Sequence, residues 1–427
     1  MSMKKSMKFL VAALALAALS TPAFALEHEV SGRFASFFAV TNYSADGNLQ
    51  KSAPTANWFD QRLRLGYNAK ADENVKLVTK FELDYSFWGN SSYTNGRGQG
   101  GAIGADSVNI ETKNLYLDWT IPAQNLNAKI GMQGYGDAFS NIIFGSDMAG
   151  ILLSHSYTNA NTSVGFFRWE DAAGTGQSWA PYPGTDLQGR NTQDLFVLDG
   201  QYKVSDALKV GAAYYFIKDE LGADGEANVH TLGVTAATAL GAVNVNGFLL
   251  GQFGDYNDAD DAKGYAAKIA ANAKVGTGTL RGDLLYVAGG SNQLYVTRDG
   301  VGYYDNEMMI ISRDKNQTTI DNALVYDLNN RGEGVIMAAL GFDQPFSPTL
   351  TGSANIGFAM VEDNQGALVG ADPDEDYIGT EINFELVKKA TDNVTLTGRA
   401  GYVVLGDHYT GNPDNPYLAQ VMVAYAF

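Results

Sequence analysis

RLRLGYNAKADENVKLVTKFELDYSFW, Arg62 to Trp88, alternates apolar and polar residues on both sides of a short break. Leu63, Leu65, Tyr67, Ala69 and Ala71 share one face, and Arg62, Arg64, Gly66, Asn68 and Lys70 share the other. Successive side chains of a strand point to opposite faces, so the pattern describes a strand with one apolar and one charged side. Past the turn at Asp72–Asn74, Leu77, Thr79, Phe81, Leu83, Tyr85 and Phe87 continue the apolar side. Lys76, Lys80, Glu82, Asp84 and Ser86 continue the polar one. The two strands make a hairpin whose polar face carries charges of both signs.

A single hairpin of this kind fits a soluble sandwich equally well, and repetition decides against that. Similar segments recur at 29–42, 58–71, 75–88, 108–121, 127–136, 149–158, 162–170, 193–204, 207–218, 228–240, 243–254, 263–274, 279–288, 334–343, 349–360, 376–386, 394–406 and 417–427, eighteen in all. Most approach the 9–11 residues that a tilted strand needs to cross a bilayer. Short connections alternate with long polar ones at 44–57, 89–107, 171–192, 289–333 and 361–375. Short periplasmic turns in rotation with long external loops mark a transmembrane β-barrel. The expected fold is therefore all-β, an antiparallel barrel of eighteen strands, with sixteen as the alternative. Aromatics near segment ends, among them Trp88, Trp119, Trp169, Tyr425 and Phe427, suit interfacial girdles.

Residues 1–25 carry Lys4, Lys5 and Lys8, an apolar run from Phe9 to Leu19, and a closing Ala23-Phe24-Ala25. This is the layout of a cleaved secretory signal, and the run falls short of the ~20 apolar residues of a spanning helix. Residues 26–427 are expected to form one domain in the periplasm or outer membrane. The chain is acidic, with a formal net charge of −18, and contains no cysteine. Phosphate binding needs a basic surface, so nucleic acid is not an expected partner. Thiolate chemistry is excluded. His28, His155, His230 and His408 stand in unrelated contexts without metal-ligand spacing, and no nucleophile with a base is apparent. GRGQGG at 96–101 matches a dinucleotide fingerprint in letters only, because no helix opens on it. The acidic run ADPDED, Ala371 to Asp376, lacks the glycine and the spaced glutamate of a calcium loop. No metal, cofactor or catalytic residue is expected.

GMQGYGDAFSNIIFGSDMAG, Gly131 to Gly150, breaks the alternation. An external loop would not expose Phe139, Ile142, Ile143 and Phe144 to water, so residues 135–148 are expected to fold inward and narrow the lumen. Asp137 and Asp147 flank the apolar centre. With Arg33, Arg62, Arg64, Lys80 and Glu82 from polar strand faces, they are the candidate constriction residues. Acidic loop against basic wall would set up a transverse field, a standard selectivity device.

FDQRLRLGYNAKADENVKLVTKFELD (59–84), KIGMQGYGDAF (129–139) and the terminal VMVAYAF together resemble the trimeric outer-membrane porins of Gram-negative bacteria. The resemblance implies a passive diffusion channel for small hydrophilic solutes and ions. A substrate-specific channel on the same fold is the alternative, ahead of an outer-membrane enzyme or a soluble adhesin. It also implies a homotrimer in contact with outer-membrane lipid and lipopolysaccharide. The PEFGG-type constriction motif of the sixteen-stranded members is absent, and chain length and strand count fit the eighteen-stranded selective channels. Phe427, Tyr425 and Val423 lie on one face of the last segment and resemble the signal read by barrel-assembly machinery. A barrel has no free edge, so this segment is expected to close against the first.

Overall fold

A computed structural model describes residues 26–43, 49–90, 110–171, 189, 191–221, 225–296, 306–312, 323–325, 327–368 and 370–427. The signal reading of 1–25 lies outside these residues, as does the GRGQGG stretch. Eighteen strands follow one another: β1 (Glu27–Thr41), β2 (Ala56–Lys70), β3 (Val75–Phe87), β4 (Glu111–Ile121), β5 (Leu126–Gly136), β6 (Gly145–Ser156), β7 (Ala160–Asp171), β8 (Thr192–Lys203), β9 (Leu208–Asp219), β10 (Ala227–Leu240), β11 (Val243–Asp255), β12 (Tyr265–Val275), β13 (Gly278–Val287), β14 (Val335–Ser347), β15 (Leu350–Val361), β16 (Tyr377–Lys389), β17 (Val394–Leu405) and β18 (Tyr417–Ala426). Each of the eighteen periodic segments becomes one strand, which removes the sixteen-strand alternative. β6 starts earlier than its segment and β14 ends later, because pairing with β5 and β15 carries each ladder past the point where alternation fades.

Every strand pairs antiparallel with its neighbours in sequence, and β1 pairs with β18. The seam runs from Arg33 opposite Ala426 to Thr41 opposite Leu418. Beyond it, Gly32 and Phe427 exchange backbone hydrogen bonds of 2.9 and 3.0 Å. The sheet is closed, which leaves no unpaired edge in the wall. No helix among the described residues is long and apolar enough to cross a membrane.

Closure sorts the side chains. Ala419, Val421, Val423, Tyr425 and Phe427 face outward, and Gln420, Met422 and Ala424 face the lumen. On the outer face, Phe166, Phe196, Phe216, His230 and Phe253 form a row across β7–β11, with ring centroids 4.6–5.9 Å apart. Two residues further along, Arg168, Asp194 and Lys218 sit side by side in register. Aromatic amphiphiles prefer the headgroup boundary and charges prefer water, so the apolar band ends between these two rows. A bulge between Gln61 and Leu63 in the β2–β3 ladder reverses the phase of β3 near its end. Phe87 therefore pairs with the lumen-side Asp60 instead of continuing the outer face, and Trp88 stacks outward on Phe59 at 4.8 Å.

Two measurements follow from this geometry. Ile356 lies on the outer face in mid-strand, 47% exposed; Ile356→Arg should cost about 2–4 kcal/mol in a lipid bilayer, read as a lowered urea midpoint of the refolded protein. Deleting Phe427 removes its hydrogen bonds to Gly32 and should cost about 1–3 kcal/mol, seen as a smaller heat-modifiable folded fraction.

Candidate functional site: the lumen and its two inward segments

β5 and β6 pair up to Gly136 opposite Gly145, so the connection between them is only residues 137–144. It is shorter than the expected span of 135–148, whose ends belong to the two strands. The Asp137 carboxylate organises this connection. Its Oδ1 accepts from the backbone N–H of Phe139 (2.6 Å) and Asn141 (3.0 Å), and its Oδ2 from Ile143 (2.6 Å) and Phe144 (2.9 Å). Burial pushes the Asp137 pKa up to about 6, while the four N–H groups pull it the other way by favouring the charged form. Phe139, Ile142, Ile143 and Phe144 are completely buried. Phe139 and Phe144 pack on Tyr215 at 5.7 and 4.9 Å, and Phe144 also meets Trp169 at 5.8 Å. The Ala138 N–H donates to the Tyr215 hydroxyl at 2.7 Å. Gly233 on β10 makes room for the contact, since a Cβ there would come within 2.5 Å of the Phe139 ring. The segment thus turns inward onto the wall of β7–β11.

A second inward segment comes from the long connection between β13 and β14. Residues 306–312 run inside the barrel, with Met308, Met309, Ile310 and Ile311 buried. Glu381 of β16 accepts the N–H groups of Met309 (2.7 Å), Ile310 (2.9 Å) and Ile311 (2.9 Å). Leu324 and Val325 donate to the carbonyls of Ile310 and Ile311 at 3.0 and 2.9 Å. Gly357 on β15 seats Met308, whose sulfur would lie 2.7 Å from an added Cβ. The two segments join one continuous buried cluster. Each offers a row of backbone donors to one buried carboxylate, which meets the demand that buried polar groups be paired.

The third feature is a charged wall on β1–β4. Glu82 is 1% exposed and forms its centre. It pairs with Arg64, with Arg62 at 3.2 Å and with Lys113 at 3.4 Å. Lys113 also meets Asp147 at 2.8 Å, and Asn114 donates to Asp147 at 3.3 Å. Arg33 stands opposite Arg64 across the ladder, and Lys80 opposite Asn114.

Arg33, Arg62, Arg64, Lys80 and Glu82 are therefore brought together on one wall. Asp147 joins that same wall through Lys113 instead of facing it from across the lumen. Asp137 is 7% exposed and turned into its own loop, so its charge serves the loop's backbone and does not line the lumen. Lys113 and Glu381 escaped the sequence reading. A bulge between Lys80 and Phe81 carries Lys113 toward Glu82, and strand periodicity does not register a bulge. Glu381 looked like any lumen-facing polar residue, since its partners lie about seventy residues away.

No protein-family model matches the chain, and no curated protein sequence matches it. Solved structures do resemble it in fold. Pseudomonas aeruginosa OccK3 (OpdO) superposes with a TM-score of 0.58 at 12% identity, over 94% of this chain and 96% of that one. P. aeruginosa OccK2 (OpdF) in complex with glucuronate gives 0.54 at 14% identity, over 94% and 98%. P. aeruginosa OpdK with vanillate gives 0.56 at 11% identity, over 93% and 98%. The fold is that of the Occ/Opd channels.

Asp137→Ala would leave four buried N–H donors without an acceptor. Hydrogen bonds to a charged group contribute about 1.5–3 kcal/mol each. Amide exchange at Phe139, Asn141, Ile143 and Phe144 should accelerate by about 100-fold or more, measured by hydrogen–deuterium exchange. Asp137→Asn should fall between the two.

Proposed function

We propose that this chain is an outer-membrane porin, a water-filled passive channel for small hydrophilic solutes, and that it selects for small anions, carboxylates among them. A closed barrel with an apolar exterior and a polar interior is one of the two structures that satisfy their own backbone in lipid. The observation that carries the selectivity is the β1–β4 wall. Arg33, Arg62, Arg64, Lys80 and Lys113 gather there against Asp60, Glu82, Glu111 and Asp147, leaving a small cationic excess around Glu82. The chain's overall acidity argues for cations, but loop charges are screened beyond about 10 Å at 0.1 M salt, and the wall is at the lumen itself. Glucuronate and vanillate, the solutes in two of the similar structures, are both carboxylates. That favours the selective channel over the general one. A homotrimer, contact with lipopolysaccharide, and recognition of Phe427, Tyr425 and Val423 by assembly machinery belong to the same proposal.

Reversal potentials in a potassium chloride gradient across a planar bilayer test it. Chloride should permeate faster than potassium. Arg64→Gln should reduce that preference about twofold, and Glu82→Gln, which removes the wall's central counter-charge, should raise it by a similar factor. Cation selectivity that neither change moves would sink the anion reading, and folded protein without stepwise conductance would sink the channel.

A further inference from the structure

A second polar site lies away from the basic wall. A recess of about 240 Å³ opens in the lumen face of β12–β14, beside the second inward segment. Its polar lining is Lys268, Asn272, Thr279, Arg281, Asp283, Asn306 and Glu307, and its remaining walls are alanine and glycine. The ladder puts Asn272 opposite Arg281 and Ala270 opposite Asp283, so these groups lie on neighbouring strands. Both inward segments meet here. The Lys268 ammonium reaches Ser140 Oγ of the first at 3.2 Å, and Arg281 pairs with Glu307 of the second. Arg281 is also held by both oxygens of Asp343, each at 2.7 Å.

The charge balance differs from that of the β1–β4 wall. Two cations, Lys268 and Arg281, stand with three carboxylates, Asp283, Glu307 and Asp343. Neither a simple anion nor a simple cation is suited, because each would approach like charge within the same small volume. Asn306 supplies the independent observation. It is 6% exposed, and its Oδ1 is occupied by the Met308 N–H at 2.8 Å and the Ser312 hydroxyl at 2.6 Å. Those bonds fix the amide so that Nδ2 is the remaining end, and Nδ2 has no partner among the described residues. A buried amide donor left unpaired is costly, and an acceptor entering the recess would relieve it.

We propose that this recess is a subsite for a small amphoteric solute, with an ammonium group toward Asp283 and Glu307 and a carboxylate toward Lys268 and Asn306 Nδ2. It rests on the channel reading only in that the solute arrives through the lumen. The basic wall would draw in the carboxylate end, and the recess would separate zwitterions from plain acids of the same size.

The test is calorimetric titration of the detergent-folded full chain with L-glutamine, with N-acetyl-L-glutamine, which keeps only the carboxylate, and with L-glutaminamide, which keeps only the ammonium. Glutamine should bind saturably, and each single-charge probe about tenfold or more weaker, the loss expected for one charge-assisted hydrogen bond. Asp283→Asn should weaken glutamine by a similar factor. Asn306→Asp retains the Oδ1 acceptor for Met308 and Ser312 while replacing the donor, and should weaken glutamine at least as much. Equal binding of N-acetyl-L-glutamine overturns the proposal, as does heat from glutamine that neither substitution alters, or no saturable heat. Because the readout is binding, a conductance failure in the bilayer would remove the channel reading separately.

Discussion

The closing seam between β1 and β18 is the constraint on which everything else rests. A hydrocarbon layer offers no water to an unpaired N–H or C=O, so a sheet that spans it must end where it began. The register from Arg33–Ala426 to Thr41–Leu418 achieves this, with Gly32 and Phe427 adding one more pair at the rim. Once the sheet is closed, pleating divides its residues. One set meets lipid and must be apolar; the other meets the lumen and is free to carry charge. The cationic wall, the seats for the inward segments and the recess all occupy positions that closure assigned to the inside.

A barrel of this width encloses more space than its own side chains fill, and this chain narrows it with segments borrowed from two connections. Both rely on one device. Short non-helical backbone carries N–H groups with no strand partner, and a single buried carboxylate collects them: four on Asp137, three on Glu381. The anion's desolvation is partly offset by those donors, and the apolar side chains of each segment then pack on the wall at glycine positions. Asp137 shows why residue type alone misleads. A carboxylate in a lumen loop suggests a charge displayed to passing ions, yet this one faces its own backbone. The charges displayed to the lumen are instead those on the walls, at β1–β4 and around the β12–β14 recess.

Most of the fold was legible because it follows from a local rule. Alternation along Arg62–Trp88 needs no knowledge of distant residues, and eighteen such segments became eighteen strands. Phe139, Ile142, Ile143 and Phe144, apolar residues that could not be left in water, are buried. Local rules fail where the ladder slips. The bulges beside Gln61 and Lys80 changed the facing of Phe87 and brought Lys113 to Glu82. They also fail where a partner is remote, as with Glu381 and residues 309–311, or with Arg281, Glu307 and Asp343.

By itself, then, the sequence determined that this chain closes into an antiparallel barrel with an apolar exterior and a charged interior, because side-chain periodicity and backbone satisfaction are properties of short stretches. Only the tertiary structure decided which carboxylates serve backbone and which serve the lumen, that a second segment enters the barrel, and that a recess of mixed charge forms where the two segments meet. Those outcomes depend on distances between residues far apart in the chain, and such distances exist only after the last strand has found the first.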